Sequence, residues 1–105
     1  MTENYYLIMV GKDSFICQIE DDEKNLDLDQ EKQIIKSIKT PFIVITNAVN
    51  VVPNGQKMLM FPCHQTTFGH KYLTLNVSQI EEIQFAKDKI VTQAKAVLAN
   101  LVLSK

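Results

Sequence analysis

Cys63 and His64 place a thiol next to an imidazole, the pairing in this chain closest to a catalytic one. Nucleophilic catalysis needs the thiol within reach of its base, and an acid to orient that base. In an extended strand, neighbouring side chains point to opposite faces, so adjacency in sequence separates these two groups. No acid lies between Lys32 and Ile80, which leaves no local orienter. Cys17, Cys63, His64 and His70 are the candidate metal ligands, and their spacing fits neither a zinc finger nor a zinc ribbon. Glu81-Glu82, flanked by Ile80 and Ile83, reads as the solvent side of an element. The 3 glycines are scattered, so no loop can cradle a phosphate through its backbone. These residues predict a protein that is not an enzyme, with no metal and no cofactor.

The groups that remain suit a nucleic acid. Lysines hold phosphates, aromatic faces stack bases, and asparagine amides bond base edges. Lys57, His64, Phe68, His70, Lys71 and Tyr72 supply the first two, and Asn47, Asn50 and Asn76 the third. The expected contact set is Asn47, Asn50, Lys57, His70, Lys71, Asn76 and Ser78. Phe61 and Tyr72 sit in apolar runs and read in the first instance as core.

Charge distribution sharpens this. The formal net charge is −1, which alone argues against a generic polyanion binder. Glu20, Asp21, Asp22, Glu23, Asp27, Asp29 and Glu31 face only Lys24 within their stretch, whereas residues 32–80 carry lysines and histidines and no acid. One part of the fold is therefore expected to be electropositive. Every basic residue is lysine. Lysine meets phosphate as a point charge, while arginine forks onto guanine edges. Backbone-led, sequence-tolerant contact is the mode this composition allows.

The 105 residues suffice for one domain with one modest core, and 46% of them are hydrophobic. Cys17 and Cys63 lie in apolar, strand-like settings and read as small buried hydrophobes of a reducing compartment. No secretory apolar region follows Met1, and no apolar run is long enough to span a bilayer. A cytoplasmic protein with no membrane partner is the expectation.

The elements that must position these residues are mostly strands. Tyr5–Val10 and Phe15–Ile19 flank Gly11-Lys12-Asp13-Ser14 and predict a hairpin. Leu28, Ile34, Ile35 and Ile38 roughly keep helical spacing, with Asp29 as N-cap, and predict a short helix over about 30–39 that ends at Thr40-Pro41. Phe42–Val52 is too β-branched and too free of charge for a surface helix. Asn54-Gly55 predicts a tight hairpin into Lys57–His64. Residues 66–71 read as a loop and Tyr72–Val77 as a strand; Ile80 and Ile83 belong to a short last strand or to the start of a helix. From Phe85 the period becomes helical, with Ala86, Ile90, Ala94, Val97, Leu98 and Leu101 on one stripe.

Two fragments resemble the Sm and Sm-like proteins, small bent five-stranded barrels that form rings and bind RNA. Asp21, Asn25, Leu26 and Leu28 fit the first motif of that family, with Lys24 where a methionine or aromatic would stack on a base. A second register, Thr46-x-x-Val49-Asn50-Val51, fits the same motif and is preferred, with residues 29–41 as a helical insertion before the third strand. Leu75, Ile80 and Ile83 fit the aliphatic positions of the second motif, but Asn76 and Val77 replace its arginine and glycine. The look is similar to divergent, bacteriophage-borne (cyanophage-type) members, whose cytoplasm would be that of the bacterial host.

The resemblance implies a mainly β fold with α: an Sm-like (SH3-like) bent β-barrel of about five strands, a short helical insertion and a C-terminal amphipathic helix over about 85–103. It implies a homo-oligomeric ring of about five to seven subunits, closed by edge-to-edge strand pairing. It further implies a role in RNA or DNA processing, with single-stranded RNA as the first ligand and DNA as the alternative. A structural or protein-interaction module using the same barrel is the competing reading.

Overall fold

The computed structural model describes residues 4–62 and 72–103. In chain order the elements are β1 (Tyr6–Val10), β2 (Asp13–Ile19), α1 (Asp22–Asn25), β3 (Leu26–Asp29), β4 (Ile34–Ile38), β5 (Phe42–Asn54), β6 (Lys57–Pro62), β7 (Tyr72–Asn76), a 3-10 turn (Val77–Gln79), β8 (Ile80–Phe85) and α2 (Asp88–Leu103). The chain is mainly β with a C-terminal helix. Among the described residues, no helix is long and apolar enough to cross a membrane.

Both expected hairpins form. Gly11 has φ +59° between β1 and β2, and Gly55 has φ +66° between β5 and β6. In the second hairpin Asn54 pairs with Lys57, so the loop is Gly55-Gln56, not Asn54-Gly55. A glycine with positive φ at the first loop position is what a type II′ turn requires.

The main sheet runs β6–β5–β2–β1–β8, with β7 also paired to β5. β6 lies along Val49–Asn54, and β7 along Phe42–Thr46. β2 pairs with Ile45–Val51 and takes the opposite side of β5. β6 and β7 thus act as two halves of one interrupted strand, and β8 returns to pair with β1. Among the described residues no strand pairing closes this sheet into a barrel.

A bulge organises β5. Ile16 pairs with Val49 and Gln18 with Thr46, leaving Asn47 and Ala48 opposite Cys17. Asn47 takes φ +50°, a conformation that asparagine tolerates better than most residues. Its Nδ2 donates to Gln18 Oε1 at 2.6 Å. The extra residue reverses the facing of everything beyond it. Ile43, Ile45 and then Ala48 join Tyr6, Ile8, Cys17, Ile19 and Leu26 in the inner core. Val49 and Val51 instead join Tyr5 and Ile16 on the outer face, under Ala94 of α2. Ile90, Val97 and Leu98 pack there too, as the helical stripe predicted.

The expected helix at 30–39, and with it the helical insertion at 29–41, is replaced by a β-hairpin. β3 pairs with β4, placing Leu26 opposite Ile38 and Leu28 opposite Ile35. Asp29 Oδ1 does accept from the Lys32 backbone N–H, at 3.1 Å, but the bond serves a turn that ends at Gln33 with φ +57°. β-branched isoleucines favour the strand, and a hairpin sets both apolar pairs on the inner core at once. The residues between the two motif registers thus form a hairpin and not a helix. Those of the preferred register, Thr46–Val51, lie in the middle of β5, whereas Asp21–Leu28 follows β2 directly.

One polar network ties down the end of the inner core. The buried Tyr6 hydroxyl donates to Asp22 Oδ2 at 2.7 Å, and Asn4 Nδ2 reaches the same oxygen at 3.2 Å and Gln30 Oε1 at 3.3 Å. Burial first, then the hydrogen bond to Asp22 and its charge, push the Tyr6 phenol far above the ordinary tyrosine range. The raised folded-state value means that the stability it supplies is complete below about pH 10, where the unfolded phenol begins to ionise. That stability is lost as pH rises further, by up to about 1.4 kcal/mol per pH unit. Tyr6→Phe is expected to cost about 1–3 kcal/mol at neutral pH and to remove this alkaline fall. Urea unfolding of both proteins at neutral and alkaline pH measures it; parallel profiles would contradict the assignment.

Candidate nucleic-acid interface

Two small units cover the sheet, and they lie diagonally across the bulge. The β3–β4 hairpin packs on the inner face near the Phe42 end of β5. α2 packs on the outer face near the Asn54 end. Among the described residues, two areas have no element packed over them. One is the outer face near Phe42, where Phe42 and Tyr72 are each 55% exposed. The other is the inner face near Asn54, where Phe61 is 51% exposed beside Leu59 and Val52. Phe61 and Tyr72, expected in the core, are therefore surface residues. Their runs are apolar, but among the described residues β6 and β7 are the rim of the sheet and have no strand on one side.

The predicted contact residues fall into separate groups. Asn50 lies on β5 between Phe15 of β2 and Phe61 of β6, all on the inner face. Its Oδ1 is buried without a hydrogen-bond partner. Lys57 stands exposed on the same face, opposite Asn54. These two residues come together with Phe61, Leu59 and Val52. Asn76 and Ser78 sit at the opposite end of β5, where Asn76 pairs with Phe42. Asn76 Oδ1 accepts from the Ser78 backbone N–H at 3.0 Å and from Ser78 Oγ at 2.8 Å. Both side chains therefore shape the 3-10 turn that leads into β8. Asn47 lies between the groups, its amide engaged by Gln18. His70 and Lys71 lie outside the described residues, as do Cys63, His64 and Phe68.

Sequence reasoning missed Phe61, Leu59 and Val52. A signal was present: with Asn54-Gly55-Gln56-Lys57 as a tight turn, Phe61 must oppose Asn50, and Leu59 must oppose Val52. Only the identity of the sheet edge was missing.

The electrostatics of this area are simple. β5, β6 and β7 contain no acid. Asp13 borders the inner face at the start of β2, and Lys12 adjoins it on the turn. Among the described residues, no group of three or more His, Cys, Asp or Glu side chains could hold a metal ion. The area offers an aromatic face, an amide, an ammonium group and an apolar rim. That set supports binding.

Neither a family model nor a curated protein matches this sequence.

Proposed function

We propose that this chain is a non-enzymatic nucleic-acid-binding module that assembles with copies of itself into a ring and takes single-stranded RNA or DNA. The observation that carries the reading is the β6 rim. Among the described residues its outer edge has no strand beside it, and Met58, Leu59 and Phe61 are 53%, 40% and 51% exposed. A bare apolar edge invites another chain, and soluble proteins that keep one normally pair or cover it. β8 ends the other side of the sheet, so one edge can meet the other head to tail, and rotation can close the set. Counting β6 and β7 as one interrupted strand, the main sheet has the strand number of an Sm-like barrel. The Leu75–Ile83 fragment spans β7, the 3-10 turn and β8. Repeating a few lysines around one axis would concentrate positive charge that a single subunit lacks.

A second reading, a protein-interaction module without nucleic acid, draws on the amides of Asn47 and Asn76, which are already engaged within the fold. Native mass spectrometry with and without short oligonucleotides separates the two. A closed oligomer that gains oligonucleotide mass is the expected result. An oligomer that never gains it favours the second reading, and a monomer under all conditions overturns the ring.

A further inference from the structure

The bare inner face at the β5–β6 end has a specific composition. Phe61 presents an open ring, and Asn50 lies directly opposite it in register. Leu59 and Val52 form the next row, at 40% and 39% exposure. Asn54 and Lys57 form the row beyond. At the centre, Asn50 Oδ1 is shut away from solvent and accepts no hydrogen bond.

We propose that Phe61, Asn50 and Lys57 form a binding site for one unpaired nucleobase and a neighbouring phosphate. This rests on the single-stranded nucleic-acid reading above and locates where a base is held. The unpartnered amide oxygen decides between kinds of occupant. A purely apolar side chain laid on Phe61 would leave that buried acceptor still without a donor, which is the costly arrangement. A nucleobase brings a flat face for the ring and N–H groups at its edge. The terminal torsion of an asparagine is broad and roughly two-fold, so the amide can turn its oxygen toward that edge.

Leu59 and Val52 flank the ring and exclude water from its rim. Lys57 lies roughly 14 Å along the strand from the Asn50–Phe61 row. Its flexible stem extends back toward the phosphate of an adjoining nucleotide. Bases within a duplex are stacked and edge-paired, so the site selects single strands. N–H donors occur on every base, so it discriminates little among them.

The test uses the full chain. Binding of fluorescent oligo(rU), oligo(rA) and oligo(dT) decamers, and of a hairpin duplex, is followed by anisotropy for wild type and Phe61→Ala. Loss of one stacking platform is expected to weaken every single strand by about tenfold or more, RNA and DNA alike, while duplex binding stays weak. A 4-thiouridine decamer photocrosslinked to the wild-type protein supplies a second measurement that needs no variant. The adduct is expected at Asn50, Lys57 or Phe61, or at the flanking Val52 and Leu59. If wild type binds single strands but Phe61→Ala binds them equally well, or the adduct lies only elsewhere, the site is overturned and the broader reading stands. If wild type binds no single strand, both are overturned.

Discussion

Ile45→Ala should remove about 2–5 kcal/mol from the unfolding free energy. Ile45 is fully buried and lies at the point where three strands meet, opposite Ile19 of β2 and Leu73 of β7. It belongs to the inner core with Tyr6, Ile8 and Ile43. Truncation loses the transfer free energy of the removed carbons and leaves a cavity that a paired strand cannot collapse to fill. A domain of this size holds only about 5–15 kcal/mol, so the loss is a large share. Ile34→Ala is the control, because Ile34 is 49% exposed on β4 and should change stability by about 0.5 kcal/mol or less. Urea unfolding at fixed protein concentration reads both as midpoint shifts at constant slope. Equal losses for the two variants would mean that the inner core does not lie where β5 places it.

Oligonucleotide affinity should fall steeply with salt, and the steepness reports the assembly. Each phosphate neutralised by a lysine releases counterions, giving a slope near −0.7 per contact for a single strand. One contact from each of about five subunits predicts roughly a hundredfold loss between about 50 and 200 mM salt. A lone subunit using Lys57 and Lys12 predicts a loss of only about sevenfold over the same range. Titrations at several salt concentrations therefore separate a ring from a single copy. An affinity unchanged by salt would overturn the lysine-led mechanism altogether.

Much of the fold was legible because local chemistry and packing agreed. The β1–β2 and β5–β6 hairpins are each announced by a glycine between alternating apolar residues, and α2 by an unbroken stripe. The β3–β4 hairpin was illegible for a physical reason. Asp29 followed by Lys32 satisfies a helix start and an Asx-type turn equally well, and both use the same hydrogen bond. Only pairing over a shared apolar core, Leu26 with Ile38 and Leu28 with Ile35, decides between them. The candidate site was half legible. Asn50 and Lys57 were readable as polar residues in a region without acids. Phe61 was not, because an apolar strand in the middle of a sheet and one at its rim have the same composition.

The bulge at Asn47 bears on how this sequence would align with any relative. Drawing β5 straight with that residue kept in regular pairing would bring Val49 and Val51 into the phase of Ile43 and Ile45 and turn Ala48 and Asn50 outward. The distal hairpin would then present its valines to the inner core and lose its seat for α2. A homologue that crossed this point with a regular strand would need its apolar residues one place out of step from there onward. An ungapped comparison through β5 would score two such chains as unlike even where their cores superimpose.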